Sequence, residues 1–163
     1  MKAIVSATAL ALSLISSAAS AQAVRTEKNM SLELANQIAA ATVAACAANN
    51  YNVTAAVVDR AGVLRALQRA DNAGPHTLGA AQGKAYTSAS ARNTTAAMLE
   101  NVQKNPGAQT LVDIPGFLVL GGGVPVKVGN EVIGAVGVGG APGGHLDEQC
   151  ANAGIAKVAE LLK

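Results

Sequence analysis

Large side chains and reactive ones are both scarce in this chain of 163 residues. Tryptophan is absent, and Tyr51, Tyr86 and Phe117 are the whole aromatic complement. Three aromatics far apart in sequence offer no platform for stacking successive bases, which argues against a single-stranded nucleic acid partner. The two histidines and two cysteines form no C-x-x-C-H arrangement, so covalent attachment of a c-type haem is excluded. No cysteine spacing suits a zinc site either. Neither G-x-S-x-G nor H-E-x-x-H occurs, and no catalytic residue can be assigned. Charge is sparse and nearly balanced, with twelve basic and ten acidic residues. That total gives no electrostatic reason to expect nucleic acid or an anionic membrane as partner.

What the sequence does have is small apolar residues. A core of Ala, Val, Leu and Ile, together with 17 glycines, permits close approach between elements. At the start, Met1-Lys2 precedes the mostly apolar Ala3–Ile15, and small residues follow over Ser16–Ala23. The apolar run is short of the roughly 20 residues that span a bilayer. Its order of charge, apolar segment and A-x-A site is that of a secretory leader. Residues 1–21 are therefore expected to be a signal peptide cleaved after Ala19-Ser20-Ala21. Residues 22–163 are expected to form one periplasmic or secreted domain without a membrane anchor.

Ser31 is a natural N-cap, and Ala35, Ile38, Ala39, Val43 and Cys46 then recur at helical spacing. Val53–Val58 is apolar on both faces, as in a strand covered on each side. Val63–Ala70 carries Arg65, Gln68 and Arg69 and suits an edge strand. Pro75 opens a helix to about Ala91, and a shorter helix covers Thr95–Val102. Lys104–Gly116 is irregular, broken by Pro106, Gly107, Pro115 and Gly116. Phe117–Leu120 reads as a short strand. Val124–Val128 and Glu131–Val138 flank the hairpin signal Gly129-Asn130, and Leu146–Leu162 closes the chain as a helix. Hairpins in place of crossovers predict an α/β domain of the α+β kind, with a mostly antiparallel sheet and helices on its faces.

Four elements occur in order: AVVDRAG at Ala56–Gly62, RAD at Arg69–Asp71, KAYT at Lys84–Thr87, and GG…GG..DE.CA..G from Gly139 to Gly154. This pattern resembles the GlcG/HbpS-like family of haem-binding or haem-degrading domains, and also the C-terminal domain of PduO-type proteins. The resemblance covers the chain from about Ser31. It implies a profilin-like, three-layer α/β/α fold with five strands and haem as cofactor; the Ala- and Gly-rich helix faces, and a haem site with only three aromatics to wall it, point to a homo-oligomer. The implied role is scavenging, buffering or sensing haem, with slow haem breakdown. Two further readings stand beside it. One is periplasmic binding or processing of a small hydroxy-acid or carboxylate, since relatives are linked to glycolate-type catabolism. The other is a metal-free small-ligand module.

The residues that can serve such a function are few. His76 follows Pro75 in the first turn of a helix, where the positive helix end favours neutral imidazole, the form that ligates iron. It is the first candidate for the haem contact, and His145, at the last helix's start, is the second. Tyr86 and Thr87 are oxygen alternatives. Arg65 and Arg69 share a strand parity and could hold propionates, or they could simply protect an edge. Arg60 lies beside them, and Asp59 and Asp71 could pair with these arginines. Gly137–Gly144 could present backbone N–H groups to an anion, or could be only a strand-to-helix turn. Lys84 is either a pocket charge or a surface lysine, and Asp147 and Glu148 suit a helix N-terminus as dipole complements. In the implied fold the helices carrying Cys46 and Cys150 could be neighbours, giving either a disulfide or two buried thiols.

Overall fold

The computed structural model describes residues 24–163; the expected signal peptide lies outside them. Strand β1 (Thr54–Asp59) is buried at every position and occupies the middle of the sheet, as apolarity on both faces requires. It pairs antiparallel with β2 (Leu64–Arg69) on one side and β4 (Glu131–Gly139) on the other. Strand β3 (Gly123–Val128) completes the order β2-β1-β4-β3, reached through the Gly129-Asn130 hairpin. The first hairpin is closed by Asp59, whose carboxylate accepts the N–H groups of Ala61 and Val63 at 3.0 Å each.

Two helical layers cover this sheet. Helices α1 (Leu32–Ala47) and α4 (Gly144–Lys157) pack on one face with Ile38, Val53, Val57, Val126, Val136 and Val138. Ser31 caps α1, accepting the Leu34 N–H at 3.2 Å. Cys46 and Cys150 are joined by a disulfide between these two helices, with Cα atoms 5.3 Å apart. On the other face α2 (His76–Ala91) lies on Ala56, Val58 and Ala135 through Ala81, Ala85 and Ala89. The approach is close enough that a Cβ on Gly137 would stand 2.1 Å from the Ala81 carbonyl oxygen. Helix α3 (Thr95–Lys104) and a 3-10 segment, Pro106–Asp113, follow.

The fold is the expected α+β sandwich, with four strands in place of five. Phe117–Leu120 is not a strand because its backbone is bonded elsewhere. Phe117 N–H donates to the Ile114 carbonyl at 3.0 Å, and Leu118 N–H donates to the Thr87 hydroxyl of α2 at 2.7 Å. The last helix also breaks earlier than its periodicity suggests, giving way to a 3-10 turn at Ala159–Leu161. Among the described residues no helix is long and apolar enough to cross a membrane.

Candidate functional site

Helix α2 is the element around which a site forms. Its first turn is fixed to the sheet through Thr77, whose hydroxyl lies 2.7 Å from that of Thr54 on β1. His76, Gly79, Gly83 and Tyr86 recur at helical spacing and share one stripe of α2. Gly79, Gly83 and Tyr86 line an open cleft of about 550 Å3, walled by Val58, Leu64 and the segment Gly116, Phe117 and Leu118. A Cβ on Gly79 would meet nothing within 4 Å, so the cleft opens directly above the helix backbone.

The Tyr86 ring sits between two glycines in left-handed conformation, Gly62 at φ 79° and Gly116 at φ 85°. A Cβ on either would come within 2.7 or 3.2 Å of its ring carbons, so both the torsion and the space require glycine there. Phe117 meets Tyr86 edge-on, with ring centroids 6.1 Å apart and planes at 74°. Two of the chain's three aromatics thus form one wall, in the edge-to-face geometry that aromatic quadrupoles favour.

His76 is exposed and stands on the same stripe one turn before Gly79, with its ring against Gly74. It does not line the cleft. His145 is also exposed, and lines a separate cleft of about 530 Å3 between α3 and α4, with Leu99, Leu120 and Glu148. The structure therefore brings the two histidines to different places. In that second cleft one carboxylate oxygen of Glu148 is buried without a hydrogen-bond partner, and burial raises its carboxyl above the usual range.

Arg65 and Arg69 are exposed on β2, and neither lines the cleft. A register slip opposite Val57 and Val58 leaves Arg65 as an extra, unpaired residue, so the simple alternation that put both arginines on one face is interrupted. Arg69 donates to the Ala73 carbonyl. Asp59 serves the hairpin turn and does not pair with arginine. Asp71 is exposed, with no ion pair among the described residues.

Lys84 is not a surface lysine, and Asp147, in the first turn of α4 as expected, is buried with it. The Lys84 side chain is only 2% exposed, and its Nζ donates to Asp147 Oδ2 at 2.7 Å and to the Val138 carbonyl at 2.8 Å. Asp147 Oδ1 accepts the Ala141 N–H at 3.0 Å. Burial raises the Asp147 carboxyl, against the opposing pull of Lys84. The pair ties α2 to the end of β4 and to α4, which holds the cleft-bearing helix in place. Ala81, Ala85 and Ser88 beside Lys84 on α2 are likewise buried.

Fold and cleft define the class, a small α+β domain with an open, largely apolar, aromatic-walled cleft on one helix. Residues 30–156 match the family described as haem-degrading protein, HbpS-like, and the chain belongs to that family. Protein GlcG of Escherichia coli K12 is 40% identical over 114 residues, covering 70% of this chain and 84% of GlcG. Among solved structures, HbpS is 38% identical with a TM-score of 0.79, covering 83% of this chain and 94% of that one. A double mutant of Streptomyces reticuli HbpS matches at 35% identity and TM-score 0.79, over 97% and 98% of the two chains. PduOC in its haem complex, 23% identical with a TM-score of 0.70 over 78% of this chain and 94% of its own, shares the fold.

Proposed function

We propose that this chain is a haem-binding domain and that the cleft above α2 receives the macrocycle. The observation that carries this reading is the meeting of Tyr86 and Phe117 beside Gly79 and Gly83. A flat apolar ligand needs aromatic walls and a floor without side chains, and here the few aromatics available converge on such a floor. The volume is within the range of about 300–1,000 Å3 usual for cofactor sites. Membership of a family described as haem-degrading supports the same ligand, and PduOC, a relative in fold, is known as a haem complex.

Haem iron is held in different proteins by histidine, cysteine, methionine or tyrosine. Tyr86 in the cleft and His76 on the same stripe are the candidates here, ahead of His145 in its separate cleft. Bound haem would supply an iron centre for ligand exchange and electron transfer. The chain's own residues would orient the ring and exclude water from the face against α2. The role proposed is scavenging, buffering or sensing of haem.

Export and self-assembly belong to the same proposal. The secretory pattern of residues 1–21 and the Cys46–Cys150 bond both suit an oxidising compartment. Val63, Leu64 and Ile114 are all more than 40% exposed, Leu64 in the cleft wall itself, which suits a second copy completing the walls.

Titration of the full chain with ferric haem tests the reading. A saturable Soret band is expected, shifted or lost in Tyr86→Phe or His76→Ala and unchanged in His145→Ala. A band lost only in His145→Ala would move the site to the cleft between α3 and α4.

A further inference from the structure

The near-neutral total charge conceals a segregated surface. Where β3 turns into β4, Lys28, Arg60, Arg92 and Lys127 line a concavity of about 600 Å3, with Asn130 and Glu131 on it. Arg60 and Arg92 continue into an adjoining hollow with Arg25 and Glu27. Arg60 engages both carboxylates of the region. Its Nε donates to Glu27 Oε2 at 2.7 Å, and Nη1 donates to Glu131 Oε1 at 2.8 Å and to the Lys28 carbonyl at 2.9 Å. That bond to Arg60 holds the Glu131 carboxyl below its usual range. Arg25 stands 3.8 Å from Glu27. Lys28, Arg92 and Lys127 are exposed and have no ion-pair partner among the described residues.

Arg92 carries a second mark. It ends α2 in the left-handed region, at φ 54° and ψ 32°. Glycine or asparagine is the unstrained choice at such a helix end, and Asn93 stands only one residue further on. The negative end of the α2 dipole favours a cation nearby. That explains a positive charge at this point. It explains neither the left-handed backbone beneath it nor the facing Lys127 and Lys28. Strained backbone of this kind clusters at functional sites, and Arg92 stands on the rim of both hollows.

We propose that this concavity binds a small multivalent anion of the polycarboxylate or phosphate class. The planar fork of Arg92 pairs with two oxygens at once, while Lys127 and Lys28 act as point charges. Arg60, already fixed by its two carboxylates, forms the rigid base. The site stands apart from the haem cleft, and neither reading depends on the other.

Calorimetric titration of the full chain with citrate and with pyrophosphate, with acetate as the monovalent control, tests it. Saturable binding of at least one multivalent anion is expected, at least tenfold tighter than acetate and weaker as salt rises. Arg92→Gly and Lys127→Gln should each weaken it tenfold or more. Because glycine accepts the left-handed backbone, Arg92→Gly should leave the anion-free Tm unchanged or higher. Binding of citrate alone assigns the carboxylate class, and of pyrophosphate alone the phosphate class. The proposal is overturned by no saturable binding of either anion, by binding indifferent to Arg92→Gly, or by a lowered anion-free Tm in that variant.

Discussion

Replacing Gly79 with leucine fills the cleft from its floor without displacing anything else. A Cβ at this position meets no atom within 4 Å, so the new side chain has only the cleft to enter. The backbone is helical there, inside α2, where glycine is unfavourable by about 0.8–1.0 kcal/mol relative to a good helix former. Gly79→Leu should therefore leave folding intact and raise stability by about 0.5–1 kcal/mol. Binding should move the other way. Denying haem a leucine-sized patch of apolar wall forfeits about 1.5–3 kcal/mol, or roughly 10- to 150-fold in Kd. Parallel urea unfolding and Soret titrations read the two effects separately. Wild-type haem affinity in a folded, stabilised Gly79→Leu variant would refute the assignment of this cleft.

The remaining predictions concern what holds the fold together. Lys84→Met leaves Asp147 buried without its partner and should cost about 3–5 kcal/mol, much of it recovered in the Lys84→Met, Asp147→Leu double variant, as chemical denaturation would show. Reducing the Cys46–Cys150 bond, which closes a loop with a sequence separation of 104, should lower stability by up to about 4.7 kcal/mol; equal unfolding midpoints with and without reductant would contradict that. Glu148 has a raised carboxyl, so the folded state keeps a proton to higher pH than the unfolded chain does. Its contribution to stability should therefore fall as pH rises from the usual carboxylate range through the raised value, and Glu148→Gln should flatten that fall in a pH series of urea midpoints.

How much was legible in the sequence depended on whether a signal was local. The two-sided apolarity of Val53–Val58 and the Gly129-Asn130 turn specify the central strand and the second hairpin, and both form. Phe117–Leu120 looked like a strand because four apolar residues in a row carry no information about partners. Its donors go to Thr87 and to its own turn, which only tertiary structure reveals. The cleft was half legible. The stripe His76, Gly79, Gly83, Tyr86 can be read from helical spacing, but the arrival of Phe117 beside it cannot. Lys84 and Asp147 lie 63 residues apart in sequence, and nothing local distinguishes a buried pair from two surface charges. The cationic concavity was hidden for a different reason. A near-neutral total says nothing about where charges gather, and this cluster draws on four separate stretches of chain from Arg25 to Lys127.

The central claim is that haem lies in the cleft walled by Tyr86 and Phe117. A crystal structure of the full chain reconstituted with ferric haem tests it most directly. The account predicts porphyrin density above Gly79 and Gly83, against both aromatic rings, with iron facing Tyr86 or His76. Porphyrin density between α3 and α4, with iron on His145, would contradict it.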